Sequence, residues 1–206
     1  MTDPKYSCVI FDFGNVLVHF KEEILTAPYF APEDRAEAGR VIFDRGIWDR
    51  LDAGTIEESE VHEYITANLP ERLQAAAHRC FDEWPDNLPE VDGMKDVVLG
   101  LKARGIPVFV LSNISRRFAA ISHENPVIAR TDGQVYSSVC GMVKPDPAIF
   151  RYAARQFGFR PEECLFADDL AKNTAGARAA GMGAWDFRGC TPEFLEFLKE
   201  HVIARS

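Results

Sequence analysis

The sequence predicts an α/β protein with a Rossmann-like, doubly wound parallel sheet and an all-helical domain inserted after the first strand. Short apolar runs alternate with amphipathic helical segments along most of the chain. Alternation of this kind forces right-handed crossovers between parallel strands. Residues 19–92 differ, because their pattern is helical.

The inserted segment also stands apart by charge. Residues 19–92 contain 18 Asp or Glu and 7 Lys or Arg, a net charge of −11, whereas the rest of the chain carries +2. A change of charge this sharp indicates a domain boundary. We therefore expect a catalytic core formed by residues 1–18 and 93–206, with residues 19–92 forming a helical cap.

Composition limits the classes of function. The 206 residues, 47% of them hydrophobic, suffice for one sizeable core or a core plus a small insert. The net charge of −9, without a cluster of Lys and Arg, argues against a nucleic-acid surface. The amino terminus lacks the features of a signal peptide, and no apolar run approaches the ~20 residues of a membrane helix. We expect a cytoplasmic protein without a membrane partner; the sequence does not indicate an oligomeric state.

Cysteine usage supports that compartment. The five cysteines are odd in number, scattered and never in a Cys-x-x-Cys pair, which fits buried thiols in a reducing environment and neither a disulfide framework nor a zinc site.

The elements follow in order from local patterns. The apolar run Val9–Phe11 predicts a buried strand that ends on Asp12 and breaks at Gly14. Helices are predicted from Pro32, from a capping box of Thr55 and Glu58, and from residues 70 to 84. The remaining segments are a helix over 94–101, a strand over 107–111, a helical stretch over 114–123, a weak strand near 135–139, a helix opening at 146–147, a strand over 164–167, an alanine-rich helix to 181, a strand over 184–187 and a last helix from 191–192.

Polar residues follow several of these apolar runs and should meet at one edge of the sheet. Three carboxylates, those of Asp12, Asp168 and Asp169, would repel one another unless a cation lay among them, and hard oxygen ligands suit Mg²⁺. Lys144 adds a positive charge, and the Ser112 hydroxyl with neighbouring amides can hold phosphoryl oxygens. The edge therefore suits phosphoryl transfer, with Asp12 as the remaining group able to attack.

Each signal also has a purely structural interpretation. Ser112-Asn113 can cap a helix, Lys144 can be a solvated side chain, and Asp168-Asp169 can begin the next helix, where acids favour the dipole. Their joint occurrence, each after an apolar run, favours the active site.

Four segments together resemble the motifs of the haloacid dehalogenase-like hydrolases, and the resemblance spans essentially the whole chain. The segments are Phe11-Asp12-Phe13-Gly14-Asn15-Val16-Leu17, Leu111-Ser112-Asn113, Gly141-Met142-Val143-Lys144-Pro145-Asp146 and Phe166-Ala167-Asp168-Asp169-Leu170-Ala171-Lys172-Asn173.

The resemblance assigns roles to individual residues. It implies that Asp12 is a nucleophile that forms an aspartyl-phosphate. It also implies that Mg²⁺ is held by Asp12, the Gly14 carbonyl and the acids of the fourth motif. Of that pair we favour Asp169 as the direct ligand and Asp168 behind it, with Asn173 orienting both. Ser112, Asn113 and Lys144 would bind the substrate phosphate.

One position departs from the family pattern. Most phosphatases of the superfamily carry a second Asp two residues after the nucleophile, as general acid and base, but here that residue is Gly14. Proton transfer by a placed side chain contributes ~10²–10⁴-fold, so the reaction must be slower, use a good leaving group or borrow another residue. His19 is one candidate, although an exposed linker residue is the simpler interpretation. A branch of glucose-1-phosphate-type, sugar-phosphate phosphatases shares the Gly-Asn pair.

Three functions remain open. The first is a magnesium-dependent phosphatase acting on a small phosphorylated metabolite, such as a sugar phosphate. The second is a dehalogenase, which also lacks the second Asp but needs no metal, so that the paired acids argue against it. The third is a non-catalytic descendant that binds a phosphorylated ligand.

Overall fold

The structure, a computed structural model, describes residues 5–203 and contains a five-stranded parallel sheet. The predicted α/β class with a doubly wound parallel sheet is confirmed. The strand order is β3-β2-β1-β4-β5, so the first strand lies at the centre. The strands are β1 (Cys8–Phe11), β2 (Val108–Ser112), β3 (Gly133–Tyr136), β4 (Cys164–Asp168) and β5 (Gly183–Asp186).

Helices cover both faces of the sheet and fill the segment between β1 and β2. That inserted segment contains α1 (Glu22–Thr26), α2 (Pro32–Ile42), α3 (Arg45–Asp52), α4 (Glu58–Asn68) and α5 (Glu71–Glu83). The remaining α-helices are α6 (Met94–Lys102), α7 (Arg116–Ile121), α8 (Ser137–Cys140), α9 (Pro147–Gln156), α10 (Ala171–Ala179) and α11 (Pro192–His201). Short 3₁₀ turns occupy Trp84–Asp86, Ser122–Glu124, Ile128–Arg130 and Pro161–Glu163.

Alternation along β1 divides the core into two layers. Val9 and Phe11 pack with α6, α11 and the inserted helices, whereas Cys8 and Ile10 pack with α9 and α10. Side chains of successive strand residues point to opposite faces, so a strand with four buried residues needs cover on both sides. This explains the continuous apolar run in the sequence.

An aromatic cluster joins the inserted helices to the core. Trp48 lies 5.3 Å from Phe20 and 5.6 Å from Trp84 between ring centroids, and its indole N–H donates to the Ile42 carbonyl at 2.6 Å. Trp84 stacks on Phe118 of α7 at 5.0 Å. The inserted helices therefore share one apolar layer with the sheet.

The structure corrects two local predictions. Helix α4 begins at Glu58, and its capping box pairs Glu57 with Glu60, because the Thr55 hydroxyl donates instead to the Arg50 carbonyl that precedes it. Strand β3 ends at Tyr136, earlier than predicted, because the chain turns into α8 at Ser137.

Two shorter helices, α1 and α3, were missing from the prediction altogether.

Two further observations concern compartment and membranes. The five cysteines are free thiols. Within residues 5–203, no helix combines the length and apolar character needed to cross a bilayer.

Candidate active site

Three neighbouring strands deliver polar side chains to one edge of the sheet. Asp12 follows β1 at the centre, Ser112 ends β2 on one side and Asp168 ends β4 on the other. The Asp12 amide donates to the Ala167 carbonyl at 2.9 Å, which fixes the two aspartates side by side. Parallel strands place their carboxyl ends together, so the predicted convergence follows from the topology.

Lys144 links the two buried aspartates. Its Nζ lies 2.8 Å from Asp12 Oδ1 and 2.7 Å from Asp168 Oδ2, and its side chain is almost completely buried. Burial works to lower the pKa of the Lys144 ammonium, but the two carboxylates outweigh it and the pKa is raised. Lys144 is therefore a fixed cation.

Asn113 holds the main chain of Lys144. Its Oδ1 accepts from the Lys144 amide at 2.8 Å, and its Nδ2 donates to the Lys144 carbonyl at 3.0 Å. The residue after β2 thus positions the loop that carries the ammonium, a contact that its place in the sequence did not suggest.

Asp168 uses both oxygens within the protein. Oδ1 accepts from the Leu170 amide at 2.9 Å, Oδ2 accepts from Lys144, and Asn173 Nδ2 lies 3.0 Å from each oxygen. The side chain is fully buried. Asn173 Oδ1, also buried, has no hydrogen-bond partner in the described part of the chain.

Three carboxylates come close enough to share a cation. One oxygen each from Asp12, Asp168 and Asp169 lies within 4.8 Å of the others. Burial raises the pKa of Asp12 to about 7, and the charge of Asp168 adds to this while Lys144 and the Ser112 hydroxyl oppose it. Burial, then Asp168, also raises the pKa of Asp169, which Asn15 partly offsets by donating a hydrogen bond.

In the turn after β1, Asn15 has a left-handed backbone conformation with φ of 57°. The φ of Gly14 is not positive. The Asn15 side chain accepts from the Phe20 amide at 3.0 Å, which stabilises this conformation. A Cβ added at Gly14 would lie 3.4 Å from Phe20 Cβ, which is an ordinary van der Waals contact. Backbone strain thus does not require glycine at this position.

A cavity of about 470 Å³ lies over these groups. Its floor, as we name it, consists of Asp12, Ser112, Lys144 and Asp169. Its roof comes from the inserted segment and combines aromatic rings with charged groups: Phe20, Lys21, Glu22, Glu23, Phe43, Arg45, Trp48, Asp49, Asp52 and Trp84. Gly14, Asn113 and Asn173 also line it.

The cavity lining leaves out one residue that the sequence suggested and includes one that it did not. His19 lies outside the residues that line this cavity in the described chain, and its amide donates to the Pro89 carbonyl at 2.8 Å. Asp52, in contrast, lines the cavity but was not among the predicted residues.

The sequence did contain a signal for α3, the helix that carries Asp52, although not for the direction of the Asp52 side chain. Asp44 caps this helix by accepting from the Gly46 and Ile47 amides, and Trp48 and Leu51 form its buried face. A capping Asp followed by an apolar i, i+3 pair is the pattern that indicates a short helix.

Comparisons with known proteins agree with this architecture. A family model described as haloacid dehalogenase-like hydrolase matches residues 6–181. "Phosphatase MT3486" of Mycobacterium tuberculosis is 36% identical over 190 residues, which cover 87% of this chain and 86% of that protein. "Drimenol cyclase drtB" of Aspergillus calidoustus is 28% identical over 84% of this chain, and the matched part spans only 32% of that protein.

A solved structure extends the likeness to the fold. The HAD family enzyme bt-2542 of Bacteroides thetaiotaomicron, in complex with magnesium and inorganic phosphate, superposes with a TM-score of 0.70 at 18% identity and covers 93% of this chain and 99% of that one. The chain belongs to the haloacid dehalogenase-like hydrolase family, as its four motifs predicted. It is an enzyme of the hydrolase class.

Proposed function

We propose that the protein is a magnesium-dependent phosphatase that hydrolyses a small phosphorylated metabolite through an aspartyl-phosphate on Asp12. The observation that carries the proposal is the Lys144 ammonium, held between Asp12 and Asp168 with Asp169 beside them. Such a site combines a nucleophile with fixed positive charge for phosphoryl oxygens. The likeness to a curated phosphatase supports this reaction class.

The acidic groups fit a divalent cation. Three carboxylates face one ammonium, which leaves excess negative charge among hard oxygen donors. We assign the metal to Asp12, the Gly14 carbonyl and Asp169, with Asp168 behind them because both of its oxygens already accept protein hydrogen bonds. Asn173 orients Asp168. When bound, Mg²⁺ would neutralise charge on the phosphoryl group and on these acids.

The protein groups then divide the work of phosphoryl transfer. Asp12 attacks phosphorus, and the bond to the leaving oxygen breaks. The Lys144 ammonium donates one hydrogen bond each to Asp12 and Asp168, and its third N–H is available for a phosphoryl oxygen. The Ser112 hydroxyl can contact the same group, and Asn113 contributes by placing Lys144.

Substrate selection belongs to the roof in this proposal. We propose that residues 19–92 form a cap over a core of residues 1–18 and 93–206, and that the cap contacts the part of the substrate beyond the phosphate. A cavity of about 470 Å³ suits a small metabolite such as a sugar phosphate. The free thiols support a cytoplasmic site of action.

Phosphate release from a panel of phosphorylated metabolites, with Mg²⁺ or with excess chelator, tests the proposal. We expect release that requires Mg²⁺ and is lost in Asp169→Ala but kept in Asp92→Ala, a change at an exposed residue. Halide release from 2-haloacids in chelator would instead support a dehalogenase. Phosphate binding without any turnover would support a non-catalytic descendant.

A further inference from the structure

Hydrolysis of an alkyl phosphate leaves an alkoxide that needs a proton as the bond to phosphorus breaks. Gly14 offers no side chain for this task. On the floor, Lys144 is held by two carboxylates, and both oxygens of Asp168, which is buried beneath the floor, accept hydrogen bonds from protein donors. Asp12 is assigned to nucleophilic attack and Asp169 to the metal, so we expect the proton donor in the other wall of the cavity.

Asp52 is placed in that other wall. It is the last residue of α3 and lines the same cavity as Asp12 and Lys144. Its Oδ1 is buried and has no hydrogen-bond partner among residues 5–203. A buried carboxyl oxygen without a partner costs free energy, which a proton or a substrate hydroxyl would recover.

The charges around Asp52 favour its protonated form. Burial raises the pKa of Asp52 to about 7, and the negative charges of Asp49 and Asp12 act in the same direction. Arg45, on the same helix, and Lys144, from the floor, act against them. An acid that titrates near neutral pH can both give and take a proton.

The main chain of Asp52 is linked by hydrogen bonds to the segment that follows β2. Its carbonyl accepts from the Ser137 hydroxyl at 2.6 Å, and the same hydroxyl oxygen accepts from the Ile114 amide at 2.9 Å. Ile114 follows Ser112 by two residues, so the end of α3 is fixed relative to the end of β2. The backbone that carries the Asp52 carboxyl group is thereby fixed relative to the end of β2.

We propose that Asp52 is the general acid and base of this enzyme and supplies from the roof the proton transfer that Gly14 cannot. This inference rests on the proposed phosphatase function. In the first half-reaction, Asp12 bonds to phosphorus, the ester P–O bond breaks and the Asp52 proton passes to the leaving oxygen. In the second, the Asp52 carboxylate takes a proton from water, the water oxygen bonds to phosphorus, and the bond to Asp12 breaks. Phosphate leaves, and both aspartates return to their starting states.

The test compares Asp52→Asn with Asp49→Asn, the same change on the same helix and in the same cavity. Rates are measured with Mg²⁺ for alkyl phosphates, which have poor leaving groups, and for aryl phosphates, which have good ones. For Asp52→Asn we expect kcat/KM to fall by ~10²–10⁴-fold for alkyl phosphates and to stay near wild type for aryl phosphates. Asp49→Asn removes one charge that favours the protonated form of Asp52 but leaves the acid in place, so its loss for alkyl relative to aryl phosphates should be at least tenfold smaller than that of Asp52→Asn.

The parameter kcat adds a second readout. The parameter kcat/KM reports only the steps up to and including the first irreversible one, which here is phosphoryl transfer to Asp12. The parameter kcat also depends on hydrolysis of the phosphoenzyme. Loss of the general base should therefore lower kcat for aryl phosphates and produce a burst of the aryl alcohol. Near-normal aryl kcat/KM also shows that the variant is folded.

Restoring an acid on the floor completes the design. A Cβ at residue 14 makes only an ordinary contact with Phe20, and in the Asp52→Asn background Gly14→Asp should recover alkyl phosphate turnover by at least tenfold. If kcat/KM falls equally for alkyl and aryl phosphates in Asp52→Asn, or does not fall at all, the assignment is overturned. Absence of phosphatase activity in the wild type would instead overturn the proposed function.

Discussion

The floor and the roof of the cavity differ in how completely their charged groups are paired. On the floor, the Lys144 side chain is almost completely buried and contacts the carboxylate of Asp168, which lies fully buried beneath the floor. On the roof, Asp52 keeps a carboxyl oxygen without a partner in the described structure, beside aromatic rings that pack with one another. The ion pairs of Lys144 are thus formed before substrate arrives, whereas the roof retains a carboxyl oxygen without a partner.

The largest effect should come from removing the attacking group on the floor. We expect Asp12→Asn to lower turnover by at least about 10⁴-fold, because an amide cannot form the aspartyl-phosphate. Steady-state phosphate release measures this, and circular dichroism checks the fold. Asp92→Asn serves as control, at an exposed position. Normal turnover by a folded Asp12→Asn protein would exclude the covalent mechanism.

The contrast also explains what the sequence could predict. Asp12, Lys144 and Asp168 each follow a short apolar run or lie in a recognisable motif, and strand topology alone brings Asp12 and Asp168 together. Asp52 lies on a helix of eight residues whose direction depends on how Trp48 and Trp84 pack. Packing of that kind involves residues distant in sequence, so no local pattern indicates which α3 side chain faces the cavity.

Individual contacts escaped prediction for a related reason. The two hydrogen bonds between Asn113 and the main chain of Lys144 join residues 31 positions apart. The sequence does not indicate which distant residue a polar side chain after a strand will contact. The left-handed residue of the first turn is Asn15, although glycine is the usual choice, because its side chain bonds to the Phe20 amide.

The next largest effect concerns the stability of the floor. We expect Lys144→Met to lower the free energy of unfolding by about 3–5 kcal/mol, because two buried carboxylates lose their shared cation. Lys102→Met, which removes a half-exposed pair with Asp132, should cost about 1 kcal/mol or less. Urea denaturation of both variants measures the difference. Equal losses would mean that the floor is no more dependent on its charges than the surface is.

Packing of the roof gives an effect of comparable or smaller size. Trp48→Ala should cost about 3–5 kcal/mol of unfolding free energy, because the side chain is buried among several aromatic rings. It should also raise KM, since Trp48 lines the roof, and lower kcat, since the same helix carries Asp52. Trp48→Phe keeps a ring and should retain most of the stability. A fall in kcat without a change in KM would contradict a role of Trp48 in substrate binding.

The smallest effect lies where the chain returns from the inserted segment to the core. Glu90 accepts two hydrogen bonds from Arg130, at 2.7 and 2.9 Å, and this holds the pKa of its carboxyl below the ordinary value. A carboxyl group whose pKa is lower in the folded state stabilises the folded protein at pH values above its pKa in the unfolded chain, about 4.3. This contribution to the free energy of unfolding is lost as the pH falls through the pKa of the folded state.

We therefore expect Glu90→Gln to cost about 0.5–1.5 kcal/mol at neutral pH and to match the wild type in acid. Denaturation at several pH values, each compared with the wild type, measures this. A difference that stays constant as pH falls would show that the charge of Glu90 contributes nothing.

The central claim is that Asp12 carries the phosphoryl group during turnover. Mass spectrometry of peptides from enzyme that is acid-quenched while hydrolysing an aryl phosphate tests it most directly. The account predicts one phosphoryl adduct, located on the peptide that contains Asp12 and absent from Asp12→Asn. An adduct on another residue, or full turnover by Asp12→Asn, would contradict it.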